Sequence, residues 1–278
     1  MDCGSRHDVR SERIQVMANK LAVVTGASSG IGYNLAKVFA ENGYDLVIGA
    51  EDAGITTAAA DFKAIGVQVT PLQTDLTTFD GCKQFWAGVE ALDRKVDAVA
   101  INAGIGVGGL FVDTDLDSEI KIVRLNVEST VHIAKYAVRK LVAQHDGKIL
   151  ITSSIAAEMV APKEAVYAAS KAFDLSFAKS LRFELKDTGV TVTALQPGPV
   201  DTNFFERAGI GDTKVGTEGK KDSEPYDVAK QGFKALMAGD EHVYSASLKT
   251  KIEGAMMGLV PDALVAKMHD SMTKPADE

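Results

Sequence analysis

Three residues of this chain have the types and the spacing to move a proton. Tyr167 and Lys171 stand four apart in the run Val166-Tyr-Ala-Ala-Ser-Lys171, and Ser154 lies thirteen residues ahead of the tyrosine. On a helix, positions i and i+4 share a face one turn apart. A free phenol has a pKa of about 10 and is a poor base near neutrality. An ammonium held beside it favours the phenolate. A serine hydroxyl placed opposite can hydrogen-bond a substrate oxygen. Together the three would move a proton on or off a carbonyl or an alcohol. The same spacing also fits an ordinary amphipathic helix with a surface lysine, so the remainder of the chain has to discriminate.

The elements that would position these groups follow from alternation along the chain. Leu21 to Thr25 is a short apolar run, and Ile31 to Asn42 then has helical spacing and stops at Gly43. Leu46 to Ile48, Val67 to Leu72, Val96 to Ile101, Lys148 to Thr152 and Val190 to Leu195 are further apolar runs. Between them lie helical stretches over Ala53 to Ile65, Thr78 to Leu92, Asp117 to Gln144 and Glu164 to Lys186. Strands separated by helices predict parallel βαβ units, and continuous apolar strands predict a sheet covered on both faces. The expected fold class is α/β, a doubly wound parallel sheet of Rossmann type, with ligands at the carboxyl ends of its strands.

Beyond Thr202 the pattern weakens. Residues 203–225 read as a substrate loop, of which Gly209 to Glu224 is rich in Gly, Lys, Asp and Thr. Asp227 to Met237 is expected to be helical, and Val243 and Tyr244 to form an edge strand. Leu248 to Met257 and Asp262 to Met272 look like terminal helices within a C-terminal helical segment, about 246–273.

A second set of residues could hold a nucleotide. Gly26-Ala-Ser28-Ser29-Gly30-Ile31-Gly32 follows a strand and opens a helix. Gly26 permits a tight turn, Gly30 lets backbone approach a pyrophosphate, and Gly32 lets helix and strand pack closely. Free N–H groups and the helix dipole then attract phosphate, and Ser28 and Ser29 can add hydroxyl donors. The second run ends at Glu51, a candidate for the adenosine ribose hydroxyls or, equally, a charge at a helix start. A carboxylate there repels the 2′-phosphate of NADP, and no Arg or Lys is near in sequence, which favours NAD. Asp75 and Leu76 follow the third run, where adenine would rest. Asn102, Ala103 and Gly104 follow the fourth, where small residues let the chain pass a flat ligand and the asparagine can brace neighbouring strands.

In order, these residues closely resemble the short-chain dehydrogenase/reductase family in its single-domain branch, over about Lys20 to Thr202. Thr25-Gly26-x-x-x-Gly30-x-Gly32 is similar to its cofactor loop and Asn102-Ala-Gly104 to its strand motif. Asn126 resembles the helix asparagine of a catalytic tetrad completed by Ser154, Tyr167 and Lys171. Pro197-Gly198-Pro-Val200-Asp-Thr202 resembles the segment that covers the nicotinamide. The resemblance implies NAD(P)-dependent hydride transfer between a ketone or aldehyde and an alcohol. Tyr167 is then the general acid/base, Lys171 lowers its pKa and holds the nicotinamide ribose, Ser154 positions the substrate oxygen, and Asn126 holds a water linking Lys171 to solvent. It also implies a homodimer or homotetramer. An epimerase or dehydratase with tightly held NAD, and a non-catalytic cofactor-binding sensor, remain alternatives; the latter usually lack the tyrosine or the lysine.

Bulk properties bound the rest. The 278 residues are 46% hydrophobic and 24% charged, the balance of a soluble globular chain. No Pro/Ser-rich linker divides it, so residues 18–278 are expected to form one domain behind a disordered polar extension at 1–17. The net charge of -8 argues against a nucleic-acid partner. No apolar stretch reaches the roughly 20 residues that span a bilayer. Cys3 and Cys82 make neither a disulfide framework nor a zinc site, so a reducing cytoplasm is the default. No His/Cys/carboxylate cluster suggests a metal, and His242 and His269 read as isolated surface residues. The substrate pocket should be lined by Ile105 to Leu110, Ile155 to Val160 and the loop after Thr202, with Glu158 as its polar feature. Ser153 should point to the opposite face from Ser154 and be structural.

Overall fold

The computed structural model describes residues 19–217, 224–245 and 261–275. The expected extension at 1–17, the Leu248 to Met257 helix and part of the Gly209 to Glu224 loop lie outside the described residues.

Seven strands form one all-parallel sheet: β1 (Leu21–Thr25), β2 (Asp45–Ala50), β3 (Val69–Gln73), β4 (Ala98–Ile101), β5 (Gly147–Thr152), β6 (Val190–Pro197) and β7 (His242–Ser245). Their spatial order is β3-β2-β1-β4-β5-β6-β7. Strand order reverses between β1 and β4, so connections leave these neighbours in opposite directions and open a crevice at their carboxyl ends. Residues on the two strands alternate between two cores. Ala22 and Val24 pack with Phe39 and Phe62 on one side, while Leu21 and Val23 pack with Phe85 and Trp86 on the other. Helices α1 (Gly30–Glu41), α2 (Gly54–Ile65) and α8 (Pro225–Ala238) cover the first face. Helices α3 (Phe79–Glu90), α5 (Ser129–Gln144) and α6 (Ala165–Glu184) cover the second. Burial on both faces is why the strands read as unbroken apolar runs. The pair at Val243 and Tyr244 is indeed an edge strand, bonded to β6 alone.

The stretch expected as one helix from Asp117 to Gln144 is interrupted. Helix α4 (Leu116–Ile122) passes through a π-helical turn at Val123–Glu128 before α5 begins. Side chains compete for the backbone there. Ser129 donates to the Leu125 carbonyl, Thr130 donates to the Asn126 carbonyl at 2.8 Å, and the Asn126 amide turns to a neighbouring loop. Such local bonds loosen the regular ladder.

After β6 come the short helix α7 (Phe204–Arg207) and α8. The last described helix is α9 (Asp262–Met272), with the bounds expected from its sequence. It docks beside the start of α6 through an ion pair of Lys163 with Asp270 at 3.2 Å.

Candidate active site

The crevice at the sheet switch point is a cavity of about 510 Å³. Its near wall is the loop from β1 into α1. Gly26 has φ 69°, and its amide and that of Ala27 both bond the Gly49 carbonyl at the end of β2. Gly32 lies against the Gly26 carbonyl; a Cβ built on it would sit 2.1 Å from that oxygen. Ser29 caps α1 without a side-chain bond to the helix, which leaves the first-turn amides of α1 facing the cavity. Gly26, Ser28, Ser29, Gly30, Ile31 and Gly32 all line it. A cradle of backbone donors with no room for a side chain fits a dinucleotide pyrophosphate.

The far ends of β2 and β3 complete that wall. Glu51, Asp75 and Leu76 line the cavity as expected. Asp75 is at the same time a turn residue, accepting the Thr77 amide at 2.9 Å and the Thr77 hydroxyl at 2.7 Å. Sequence spacing missed two neighbours. Asp52 accepts the Ser28 hydroxyl at 2.7 Å, so a second carboxylate stands at the phosphate loop. Lys121, distant in sequence, lies 3.7 Å from Glu51 and also lines the cavity.

Asn102 ties three strands together. Its amide nitrogen reaches the Thr25 carbonyl at 3.3 Å, its side-chain oxygen accepts the Thr152 hydroxyl at 3.0 Å, and the Thr25 hydroxyl accepts the backbone amides of Asn102 and Ala103. Ala103 and Gly104 form the floor beside it. Asn126 is fully buried. Its side chain exchanges two bonds with the Ile105 backbone, at 3.0 and 2.9 Å, and donates to Ser170 at 2.9 Å. Its amide thus braces the floor and the catalytic helix.

Lys171 reaches the cavity from α6. Its ammonium donates to the Thr152 carbonyl at 2.9 Å and to Asp174 at 3.0 Å, both side chains being buried. Asp174 was not anticipated, although a Lys-x-x-Asp pair at i, i+3 is visible in the sequence. Burial raises the Asp174 carboxyl above the usual carboxylate range, and Lys171 only partly offsets this. Ser153 is structural as expected, its hydroxyl donating to the Lys171 carbonyl at 2.7 Å.

Tyr167 and Ser154 are neighbours: the serine hydroxyl is among the groups that act on the phenol. Ser154 also caps the short helix Ile155–Glu158 and points toward the Pro197 carbonyl at 3.5 Å. Lys171 is not among the groups that shift the phenol in this arrangement. Burial and the nearby Glu164 charge push Tyr167 well above the ordinary tyrosine range, Ser154 pulls it down, and Asp174 pushes it up again. The lysine's charge is balanced by Asp174, which explains its weak reach. Phe204, another residue the spacing did not reveal, lies against Tyr167 with ring centroids 5.2 Å apart.

Gly198, Val200 and Thr202 line the cavity on the β6 side, whereas Pro197 is the buried end of the strand itself. Beyond them the wall is Ile105, Gly106 and Val107 facing Asn203, Phe204, Phe205 and Arg207. Two pocket expectations are corrected. Glu158 turns to Tyr244, at 2.9 Å, and to Gln196, and Ile155 to Val160, like Ser154 and Tyr167, do not line the 510 Å³ cavity itself. Leu110 is largely exposed rather than facing the cavity. His269, expected at the surface, is buried against Pro162 and Glu164 because α9 folds back over the start of α6. His242 is exposed.

This geometry has counterparts in known proteins. The family model described as short chain dehydrogenase matches residues 20–211. A 1-deoxy-11-beta-hydroxypentalenate dehydrogenase of Streptomyces exfoliatus is 34% identical over 242 residues, covering 83% of this chain and 84% of its own. An uncharacterized oxidoreductase of Bacillus subtilis is 32% identical over 192 residues, covering 68% and 78% respectively. A short-chain dehydrogenase from Sphingobium yanoikuyae in complex with NADPH aligns with TM-score 0.72 at 28% identity, over 86% of this chain and 94% of that one. One from Burkholderia phymatum in complex with NAD has TM-score 0.75 at 22% identity, over 87% and 92%, a likeness of fold. Glycine cradle, switch-point cavity and matched sequence agree: the chain belongs to the short-chain dehydrogenase family and is an NAD(P)-dependent oxidoreductase.

Proposed function

We propose that this chain reduces an apolar ketone or aldehyde to the alcohol, with Tyr167 as the proton donor. The observation that carries this reading is the Lys171 ammonium at a dinucleotide-sized cavity, one helical turn from Tyr167, whose ring packs on the cavity-lining Phe204. A carbonyl oxygen accepting from the Tyr167 and Ser154 hydroxyls would be oriented and polarised at once. A bound dinucleotide supplies the hydride in this chemistry.

The residues divide the remaining work. Gly26 to Gly32 would hold the pyrophosphate on backbone amides, and Lys171 would present its remaining N–H to the nicotinamide ribose. Asn126 would keep Lys171 and the floor in register through Ser170 and Ile105. The Tyr167 phenol, protonated at neutrality as any tyrosine is and raised further by burial, is in the form a proton donor needs. The walls near the tyrosine, Ile105, Val107, Phe204 and Phe205, exclude water and favour an apolar substrate. The reading favours NAD over NADP, because Glu51 and Asp52 stand at the end of β2 and Lys121 is already paired with Glu51. It includes a homo-oligomer in a reducing cytoplasm, as the family resemblance and the two cysteines suggest; among the described residues no helix is long and apolar enough to cross a membrane.

The test is Tyr167→Phe. A panel of apolar ketones and alcohols with either dinucleotide should show turnover reduced by about a hundredfold or more. Dinucleotide affinity, read by titration of protein fluorescence, should stay unchanged. Turnover near that of the unaltered protein would refute the role of the phenol.

A further inference from the structure

Charge is segregated along the cavity. Its lining carboxylates, Glu51, Asp52 and Asp75, stand at the dinucleotide end, on the turns after β2 and β3. Each is engaged there. Glu51 faces Lys121 at 3.7 Å, Asp52 accepts the Ser28 hydroxyl at 2.7 Å and the Gly54 amide at 2.9 Å, and Asp75 accepts from Thr77. Lys121, Lys171 and Arg207 are the lining cations. Lys121 is thus paired with Glu51, and Lys171 is held by Asp174 at 3.0 Å and by the Thr152 carbonyl at 2.9 Å. Arg207 differs from both: among the described residues it forms no ion pair.

The local backbone places Arg207 at the substrate end. It closes α7, and its amide bonds the Asn203 carbonyl at 3.0 Å. Residues three and four apart on such a turn share a face. Arg207 therefore lies on the side of Asn203 and Phe204, which also line the cavity, one helical step from the ring that packs on Tyr167. The segment behind it is fixed. The Ala208 carbonyl accepts the Gly108 amide at 2.8 Å, and Ile210 covers Gly108, where a Cβ would meet it at 2.1 Å. Glu206, the adjacent carboxylate, lies over Gly211; a Cβ built there would be 2.2 Å from Glu206 Oε2.

A guanidinium presents a planar fork of N–H donors, which a carboxylate accepts in two parallel bonds. The walls next to this one are apolar: Ile105, Val107, Phe204 and Phe205. No carboxylate lines this end to compete for the fork. Lys171, the other cation near Tyr167, is already engaged, so a single guanidinium is left and suits a single negative charge. The backbone donors suited to phosphate belong instead to the loop into α1.

We propose that the substrate is an apolar carbonyl compound ending in a carboxylate, and that Arg207 recognises that end. This rests on the reading of the chain as a reductase of apolar carbonyl compounds with Tyr167 as the donor. The carboxylate is unchanged by the reaction, in which the dinucleotide gives a hydride to the carbonyl carbon and Tyr167 gives a proton to its oxygen. The Tyr167 and Phe204 ring centroids are 5.2 Å apart, and a further step of about 5–6 Å along the helix face sets the carboxylate roughly 8–10 Å from the reacting carbon. A 2-oxo acid, with its two groups adjacent, is too short for this span. A medium-chain oxo acid matches it.

The probes are 7-oxooctanoate and its methyl ester, which share the ketone and the chain but not the charge. Calorimetric titration into protein saturated with NAD or NADP reads binding without turnover. The acid should bind about tenfold more tightly than the ester, the low end for hydrogen bonds to a charged group because the guanidinium is exposed. Arg207→Gln should bring the two affinities together. Arg207→Lys should restore part of the difference, since it returns the charge without the fork. Equal affinity of acid and ester in the unaltered protein overturns the proposal, and so does an acid preference that survives Arg207→Gln. Turnover with NADH or NADPH separates this proposal from the reading beneath it. Acid that binds through Arg207 but is not reduced leaves the carboxylate site standing and overturns the reductase reading. Reduction of both probes with equal kcat/KM keeps the reductase and overturns only the role of Arg207.

Discussion

Replacing Gly32 by alanine should disable dinucleotide binding for a reason visible in the backbone. The added methyl would lie 2.1 Å from the Gly26 carbonyl oxygen, 2.4 Å from the Asn102 side-chain nitrogen and 2.8 Å from the Gly26 carbonyl carbon. Two of those atoms are main chain, so no rotamer change relieves the contact. A normal carbon–oxygen approach needs helix α1 to move from the loop by about 1.4 Å, since non-bonded atoms settle at roughly 3.5 Å and the oxygen lies 2.1 Å away. Overpacking of this kind costs about 1–3 kcal/mol of stability. The same shift withdraws the first-turn amides from a pyrophosphate. Losing one or two good hydrogen bonds to a charged group, at about 1.5–3 kcal/mol each, weakens binding on the order of tenfold to a hundredfold or more. Gly43→Ala is the control. Gly43 has φ 77° but nothing within 4 Å of its added methyl, so it should lose about 1 kcal/mol of stability and no affinity. Guanidinium denaturation reads stability, and calorimetric titration with NADH and NADPH reads affinity. Gly32→Ala binding either dinucleotide as tightly as Gly43→Ala would refute the cradle.

Glu51→Ala should raise KM for NAD and narrow its preference over NADP by about tenfold, equivalent to 1.4 kcal/mol; steady-state kinetics with both dinucleotides decides it. Phe204→Ala should raise kcat/KM for bulky ketones relative to small ones, because the ring beside Tyr167 and over Gly106 is removed; unchanged selectivity across a size series counts against the wall. Arg94→Gln should make the protein more sensitive to acid. Burial alone would raise Asp45, but the Gln68 amide, Arg94 and Asn19 together hold it below the usual carboxylate range. A depressed folded-state pKa contributes stability that is present above the unfolded carboxylate value, near 4, and is lost as pH falls through the folded one. With Arg94 gone, acid unfolding should begin at higher pH and stability at neutrality should fall by about 1–3 kcal/mol; superimposable acid transitions by circular dichroism would sink this.

Much of the architecture was legible because it rests on local rules. Strand and helix alternation, the stop at Gly43 and the bounds of Asp262–Met272 follow from apolar periodicity and turn chemistry, which act over a few residues. The glycine cradle was legible for the same reason: close approach of backbone demands a missing Cβ, and the spacing of Gly26, Gly30 and Gly32 records it. Tyr167, Lys171 and Ser154 could be chosen from helix phase and from the family resemblance, and the phenol and the serine are neighbours.

Electrostatic neighbours were a different matter. Lys121 reaches Glu51, Asp174 balances Lys171, and His269 reaches Glu164, yet only the second pair is close in sequence. Coulomb interactions and desolvation depend on through-space distance and burial, which the chain path alone does not encode. The amino-acid sequence by itself therefore determined the sheet, the nucleotide cradle and the candidate for proton transfer. Tertiary structure decided how hard that group holds its proton, because burial, Glu164, Ser154 and Asp174 surround the phenol only when the chain is folded.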